Sequence, residues 1–365
     1  MNEKERYERV DMPFYREVVS PLLPDNILDF HAHSWKKDQW ITQKEEEDSQ
    51  FQNSDSLGIF PTARYMTTEL EYSMERLMED ANRMFPLQRY HAVFFGHPTP
   101  AVDLDRTNRY IAGNSHLKNM FPLILTGKEL VPGEQLRQQI IETGFFGYKV
   151  FLNWVGNDYG NICVEDMIGP SEMELANELG LVVLLHVPRS GRLADPIIGR
   201  GVRKLSQRYP KANIVLAHCG RCYMPAEMSA AINSIADLEN VYLDTSMVMD
   251  PTVLHIIFNS IDSRRVLYAT DFPIAAMRGR RVNVMDHWVD VVLEGYPDSD
   301  FRVASNGIRA TFMAYEIILA IKTAAETAGL SGEELKGIFF NNGISLLGKV
   351  RGEKQAVKIR NWNNV

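Results

Sequence analysis

Four apolar runs in this chain end on a residue that can bind a metal ion or move a proton. His31 and His33 close the segment Asp29-Phe30-His31-Ala32-His33, where the run ILDF (27–30) ends. His186 follows LVVLL (181–185), His218 follows NIVLA (213–217), and Asp271 follows RVLYAT (265–270). Neutral imidazoles and a carboxylate suit a zinc-like divalent ion that keeps one position open for water. Such an ion lowers the pKa of water toward ~7 and makes hydroxide available at neutral pH. A single histidine at a strand end is more often a structural hydrogen-bonder. Five such residues at the same end of four runs make coincidence a poor explanation.

The surrounding pattern shows how these residues are brought together. Apolar runs near residues 27, 91, 122, 146, 181, 213, 241 and 265 read as eight strands. Between them lie segments with helical spacing. Ile198, Val202, Leu205 and Tyr209 fall on one helix face, as do Met228, Ile232, Ile235 and Leu238, and Val253, Ile257 and Ile261. Further helices fit 68–82, 105–119 and 133–142. Another follows Ser171, with a capping box from Ser171 to Glu174 and a stop at Gly180. The strand runs are apolar throughout rather than alternating, as strands buried on both faces must be. Eight strands alternating with helices predict a (β/α)8 barrel, whose C-terminal strand ends converge on one pocket. Along a strand, side chains two apart point the same way, so His31 and His33 face one point in that pocket.

Other residues fall near the same mouth. Lys149 lies in the strand GYKVF, as a barrel lysine or substrate contact. Arg189 and Arg221 lie just beyond strands 5 and 6, where a guanidinium fork could take a substrate carboxylate. Trp154 and Trp35 follow strands 4 and 1 as candidate pocket walls. Cys219-Gly220-Arg221-Cys222 is a C-x-x-C without a second pair, which makes a redox or zinc role a minor reading. His91, His97, His116, His255 and His287 are read as structural.

Composition narrows the function. The net charge of −8 argues against a polyanionic partner, and no apolar run reaches the roughly 18 residues of a membrane span. The first residues, MNEKERYERVD, lack the apolar stretch of a signal peptide, and three cysteines do not make a disulfide framework. The expectation is a soluble cytoplasmic protein with a small-molecule substrate, as a homo-oligomer or alone. One domain spans 1–365, with its barrel core at about 27–348. Two polar stretches break the repeat. Residues 34–66 form a long insertion after strand 1, a lid or partner surface. Residues 274–312 form an irregular extension after strand 8, carrying the basic cluster Arg278, Arg280 and Arg281.

His31-Ala32-His33, His186, His218 within VLAHCG, and Asp271 within ATDFP resemble the amidohydrolase superfamily. The likeness is nearest to the amidohydrolase-related branch that contains aminocarboxymuconate-semialdehyde decarboxylase. VYLDTS (241–246) and the closing IFFNNGISLLG (338–348) are weaker echoes. The resemblance covers roughly residues 27–348. It implies His31, His33, His186 and Asp271 as ligands of one divalent ion, zinc or else manganese. It implies His218 as the acid/base, or as a further ligand, and Asp271 as a proton carrier. A carboxylated Lys149, known in some members of the superfamily, would imply two ions.

The leading expectation is therefore a metal-dependent hydrolase of an amide, ester or lactone bond in a carboxylated substrate. Non-oxidative decarboxylation of an aromatic or dienoic acid would use the same ligands. Sugar-acid isomerisation is a more distant third. A non-catalytic binding barrel, the reading from another class, predicts degraded ligand positions, yet all of them are intact.

Overall fold

The computed structural model describes residues 3–41, 71–155, 160–284, 287–293, 302–303 and 310–362. Eight strands form the barrel: β1 (Asn26–His33), β2 (Arg89–Phe95), β3 in two pieces (Met120–Pro122 and Ile124–Leu125) and β4 (Gly147–Val150) come first. Then follow β5 (Val182–Leu185), β6 (Asn213–Leu216), β7 (Val241–Asp244) and β8 (Val266–Leu267). Neighbours in sequence pair in parallel. Hydrogen bonds Phe30 N to Tyr268 O (2.8 Å) and His33 N to Phe272 O (2.9 Å) join the end of the chain of strands back to β1. This is the expected TIM barrel.

Burial on both faces explains the composition of the strands. Every residue of Val182–Leu185 and of Val241–Asp244 is buried. Gly147 marks a close approach of two strands: a Cβ there would stand 1.9 Å from Val182 O, so no other residue fits.

The helices begin where side chains can satisfy their first amides. Ser73, Asp103, Asp195 and Asp250 each accept a hydrogen bond from a backbone N–H in the first turn of the helix that follows. The helix expected after Ser171 instead runs Pro170–Leu179, and in place of a capping box Gly169 N donates to Glu172 Oε2 at 3.0 Å. Pro170, with its fixed φ and missing N–H, takes the first helical position and moves the cap to Gly169. The helix expected over 105–119 ends at Gly113, followed by Asn114, both weak helix formers. The helix expected through Leu238 is Pro225–Ala231 followed by a 3-10 turn, Ile232–Ser234. Ile232, Ile235 and Leu238 stay buried, the last two in the segment that follows.

The described residues of the stretch after β8 are more ordered than expected. They form a small sheet of β9 (Gly279–Val284), β10 (His287–Leu293) and β11 (Arg302–Val303), β9 antiparallel to β10. The expected basic cluster is dispersed within it. Arg278 pairs with Asp11 and Glu3, Arg280 approaches Glu316 at 3.7 Å, and Arg281 pairs with Asp290. Most of the insertion expected at 34–66 lies outside the described residues. No described helix is long and apolar enough to cross a membrane.

Candidate metal centre

The chemistry-bearing residues leave their strands at one end of the barrel. A register shift in β1 between Asp29 and Ala32 bends the strand there. The His31 and His33 rings remain together, with centroids 5.3 Å apart. Asp29 holds this corner from beneath. Its Oδ1 accepts from His31 N (3.0 Å) and Thr270 N (2.9 Å), and its Oδ2 from the Tyr90 hydroxyl (2.8 Å) and the Thr270 hydroxyl. One buried carboxylate thus ties β1, β2 and the segment before Asp271 into a fixed arrangement. Burial drives the Asp29 carboxyl up to about 6, although these hydrogen bonds pull the other way.

Backbone strain collects at the same end. Asp271 has φ 72°, and in the tight turn His218–Arg221 the values are 54°, 51°, 68° and 62°. Left-handed backbone costs a non-glycine residue on the order of 1–3 kcal/mol and persists only where the surroundings enforce it.

The central contacts involve the Asp271 carboxylate and three rings. Oδ1 stands 3.0 Å from His33 Nε2 and 3.4 Å from His31 Nε2, and Oδ2 stands 4.0 Å from His218 Nε2. The other ring nitrogens are held as well. His31 Nδ1 donates to Asp244 Oδ2 at 2.9 Å, and His33 Nδ1 faces Gly96 O at 3.3 Å. His33 Nε2 is within hydrogen-bond distance of Asp271 Oδ1, and His31 Nε2 meets Lys149 Nζ at 3.1 Å. Burial, outweighing the nearby carboxylate, pushes His33 down to about 4. Burial also opposes charge on Asp271, yet the His31, His218 and His33 rings outweigh it and hold the carboxyl well below its ordinary range. Three ligand atoms thus converge on one point, an arrangement that fits a cation.

Among the described residues, two such groups have ligand atoms within 4.8 Å of one another: His31, His33 and Asp271, and His31, His218 and Asp244. The second is already satisfied by hydrogen bonds. Asp244 Oδ1 accepts from His218 N (2.8 Å), Ser246 N (3.1 Å) and the Ser246 hydroxyl, while Oδ2 takes His31. Asp244 therefore orients His31 and His218, the usual task of a carboxylate behind a metal-binding histidine. The sequence reading missed this role. The signal was present in VYLDTS, where an aspartate ends an apolar run as Asp271 does.

His186 stands one ring further out. Its centroid is 5.2 Å from that of His218 and 4.4 Å from that of Phe151, and its Nδ1 is buried without a partner. Lys149 is fully buried, with Nζ 3.1 Å from His31 Nε2 and 4.6 Å from the Phe95 ring centroid. Burial pushes its ammonium down to about 8.

The other candidates are engaged elsewhere. Arg189 Nε is held by Asp195 at 2.7 Å, and Arg221 Nη1 donates to Val187 O (3.1 Å) and Arg189 O (3.4 Å). Both arginines brace the loops beyond β5 and β6. Trp154 packs half-buried in the turn Leu152–Val155. Trp35 is fully buried against Tyr72 and His97. Cys219 and Cys222 are buried free thiols; burial pushes Cys222 up to about 12 and Cys219 well above its usual value, which makes both unreactive.

Residues 134–282 match the family model described as Amidohydrolase. That segment holds Lys149, His186, His218, Asp244 and Asp271, while His31 and His33 lie before it. No curated protein matches the chain.

Among solved structures, the chain is similar to 4-oxalomesaconate hydratase of Rhodopseudomonas palustris. The identity is 16%, over 93% of this chain and 100% of the other, with a TM-score of 0.53. It is also similar to a dihydroxybenzoic acid decarboxylase of Polaromonas sp. JS666, solved with manganese and 2-nitroresorcinol (15%, 91% and 99%, TM-score 0.51). A 5-carboxyvanillate decarboxylase of Novosphingobium aromaticivorans with bound manganese shows 13% identity over 88% and 97%, TM-score 0.52. At these identities the likeness establishes the fold.

Proposed function

We propose that this protein is a metal-dependent enzyme that cleaves an amide, ester or lactone bond in a small carboxylated molecule. The convergence of His31 Nε2, His33 Nε2 and Asp271 Oδ1 carries this reading. Those three atoms would hold one divalent ion, with His186 as a fourth ligand after a local shift. The manganese in two similar structures makes manganese as good a candidate as zinc. When bound, the ion supplies Lewis-acid polarisation of a carbonyl and an acidified water.

The chain's own groups do the rest. Asp271 presents Oδ1 to the ligand rings and Oδ2 to His218, so it can take a proton on one side and pass it to the other. The Nδ1 of His218 is fixed by Ser246, with O at 3.2 Å and Oγ at 2.8 Å. Donation to the Ser246 carbonyl leaves Nε2 free to act as the base. Burial pushes His218 down to about 3, which keeps that base neutral at neutral pH. Lys149 can contact a polarised substrate oxygen from the barrel floor. The observed partner of its ammonium, a ring nitrogen, favours a free amine and a single ion.

Non-oxidative decarboxylation is the second reading, favoured by the likeness to two decarboxylases. It uses the same residues, with the Asp271–His218 pair returning a proton to carbon. Chelation should abolish turnover, and zinc or manganese should restore it. Parallel panels then separate the two readings: carboxylated esters, amides and lactones for hydrolysis, and aromatic and dienoic acids for CO2 release. Full activity of the metal-free protein would exclude both.

A further inference from the structure

Beside the His218 ring lies a second constellation that the metal centre does not use. Tyr223 has its ring centroid 6.1 Å from that of His218 and 5.1 Å from that of Trp288 on β10. Both aromatics are half-buried. Two guanidiniums pack on this pair. The Arg281 centre lies 4.4 Å from the Tyr223 ring and 4.0 Å from the Trp288 ring; for Arg192 the distances are 5.6 Å and 5.9 Å. Each arginine is more than nine-tenths buried, at 7% exposure.

Each guanidinium is held by one carboxylate and left incomplete. Arg281 and Asp290 face each other across the β9–β10 ladder, with Nε to Oδ1 2.8 Å and Nη2 to Oδ2 2.9 Å. Arg281 Nη1 is buried with no hydrogen-bond partner. The Tyr223 hydroxyl acts on the guanidinium both electrostatically and as a weak hydrogen-bond partner, without closing a bond to Nη1. Arg192 gives Nη1 to Glu227 at 2.6 Å, and its Nε is likewise buried without a partner. Leaving a charged donor unsatisfied in the interior is costly, so two on one platform call for an acceptor.

We propose that the unpartnered guanidinium N–H groups of Arg281 and Arg192, on the Tyr223–Trp288 platform, bind the substrate carboxylate. The inference rests on the reading of the barrel mouth as a site for a carboxylated molecule, and it moves carboxylate recognition from Arg189 and Arg221 to the sheet after β8. The charge balance selects the anion. Asp290 and Glu227 already neutralise the two guanidiniums, so a singly charged planar carboxylate is favoured over a doubly charged phosphate. The aromatic pair gives the adjoining part of the molecule a flat apolar seat, which suits an unsaturated or aromatic acid.

The test is calorimetric titration of the full-length, manganese-loaded protein with benzoate, with benzamide as its uncharged counterpart, and with inorganic phosphate. Saturable benzoate binding at least about tenfold tighter than benzamide is expected. The double variant Arg281→Gln, Asp290→Asn removes the fork without stranding a buried charge. It should weaken benzoate by about tenfold or more and leave benzamide and bound manganese unchanged. Arg192→Gln, an independent variant on the same platform, should weaken benzoate several-fold. Equal benzoate affinity in wild type and both variants, no saturable benzoate binding, or phosphate binding tighter than benzoate would overturn the inference. A wild type that binds benzoate through Arg281 but takes up no manganese would leave the inference standing and sink the metal-dependent reading instead.

Discussion

His33 Nε2 and Asp271 Oδ1 face each other at 3.0 Å, within hydrogen-bond distance. A divalent ion held by the two atoms would take the place of the proton between them. The double substitution His31→Ala, His33→Ala should therefore abolish metal uptake and turnover while the barrel still folds, as circular dichroism can verify. Wild-type activity in that variant would instead point to a binding barrel without catalysis.

Asp244 stands behind the site and accepts from His31 Nδ1 at 2.9 Å. Asp244→Asn keeps the shape but weakens the acceptor that fixes the His31 tautomer. Metal affinity should fall about 10- to 100-fold, as for other groups that orient a ligand, with thermal stability changing far less. Competition with a fluorescent chelator measures this directly. Unchanged affinity would mean that Asp244 has no part in positioning His31.

Asp29 holds four donors from three segments. Asp29→Ala leaves His31 N, Thr270 N and two hydroxyls buried without an acceptor. The expected loss is about 3–5 kcal/mol, read from denaturant unfolding, since each orphaned group costs about 1–3 kcal/mol and some relax toward water. A loss under about 1 kcal/mol would contradict the assigned role.

Stability of the metal-free protein should fall as the medium becomes acidic. His33 and His218 have folded-state values of about 4 and about 3 against an ordinary 6.5. Below 6.5 the unfolded chain binds protons that the folded rings refuse, so stability drains away as pH falls toward 4. Asp29 acts in the opposite sense. Its folded value of about 6 exceeds the ordinary 3.8, so it adds stability as pH falls through that window. At about 1.4 kcal/mol per pH unit per group, the histidines prevail, with a net loss of roughly 2 kcal/mol between pH 7 and 5. Thermal unfolding at those two values checks it. His218→Gln should show a smaller decline, and a melting temperature that holds or rises toward pH 5 would contradict the reading.

The barrel was legible because its physics is periodic. A strand buried on both faces must be apolar throughout, and Val182–Leu185 and Asn213–Leu216 announce themselves in that way. The histidines that follow them could be placed at one mouth without coordinates. Asp244 ends an apolar run as Asp271 does, but its role lies in hydrogen bonds to His31 and His218, far away in sequence. The sheet of β9 and β10 was illegible for a related reason. Its stability comes from cross-strand pairs such as Arg281–Asp290, and a short ribbon that buries such a pair carries no continuous apolar run. Arg189 and Arg221 looked like substrate contacts from position alone, yet their N–H groups go to Asp195 and to loop carbonyls.

The most direct test is the metal content of the full-length protein purified without chelator, wild type beside Asp271→Asn. One equivalent of manganese or zinc in wild type, largely lost in the variant, is the predicted result. Two equivalents would contradict the single-ion site and turn attention to a carboxylated Lys149. No bound metal in wild type, even after reconstitution, would contradict the central claim that His31, His33 and Asp271 form a metal centre.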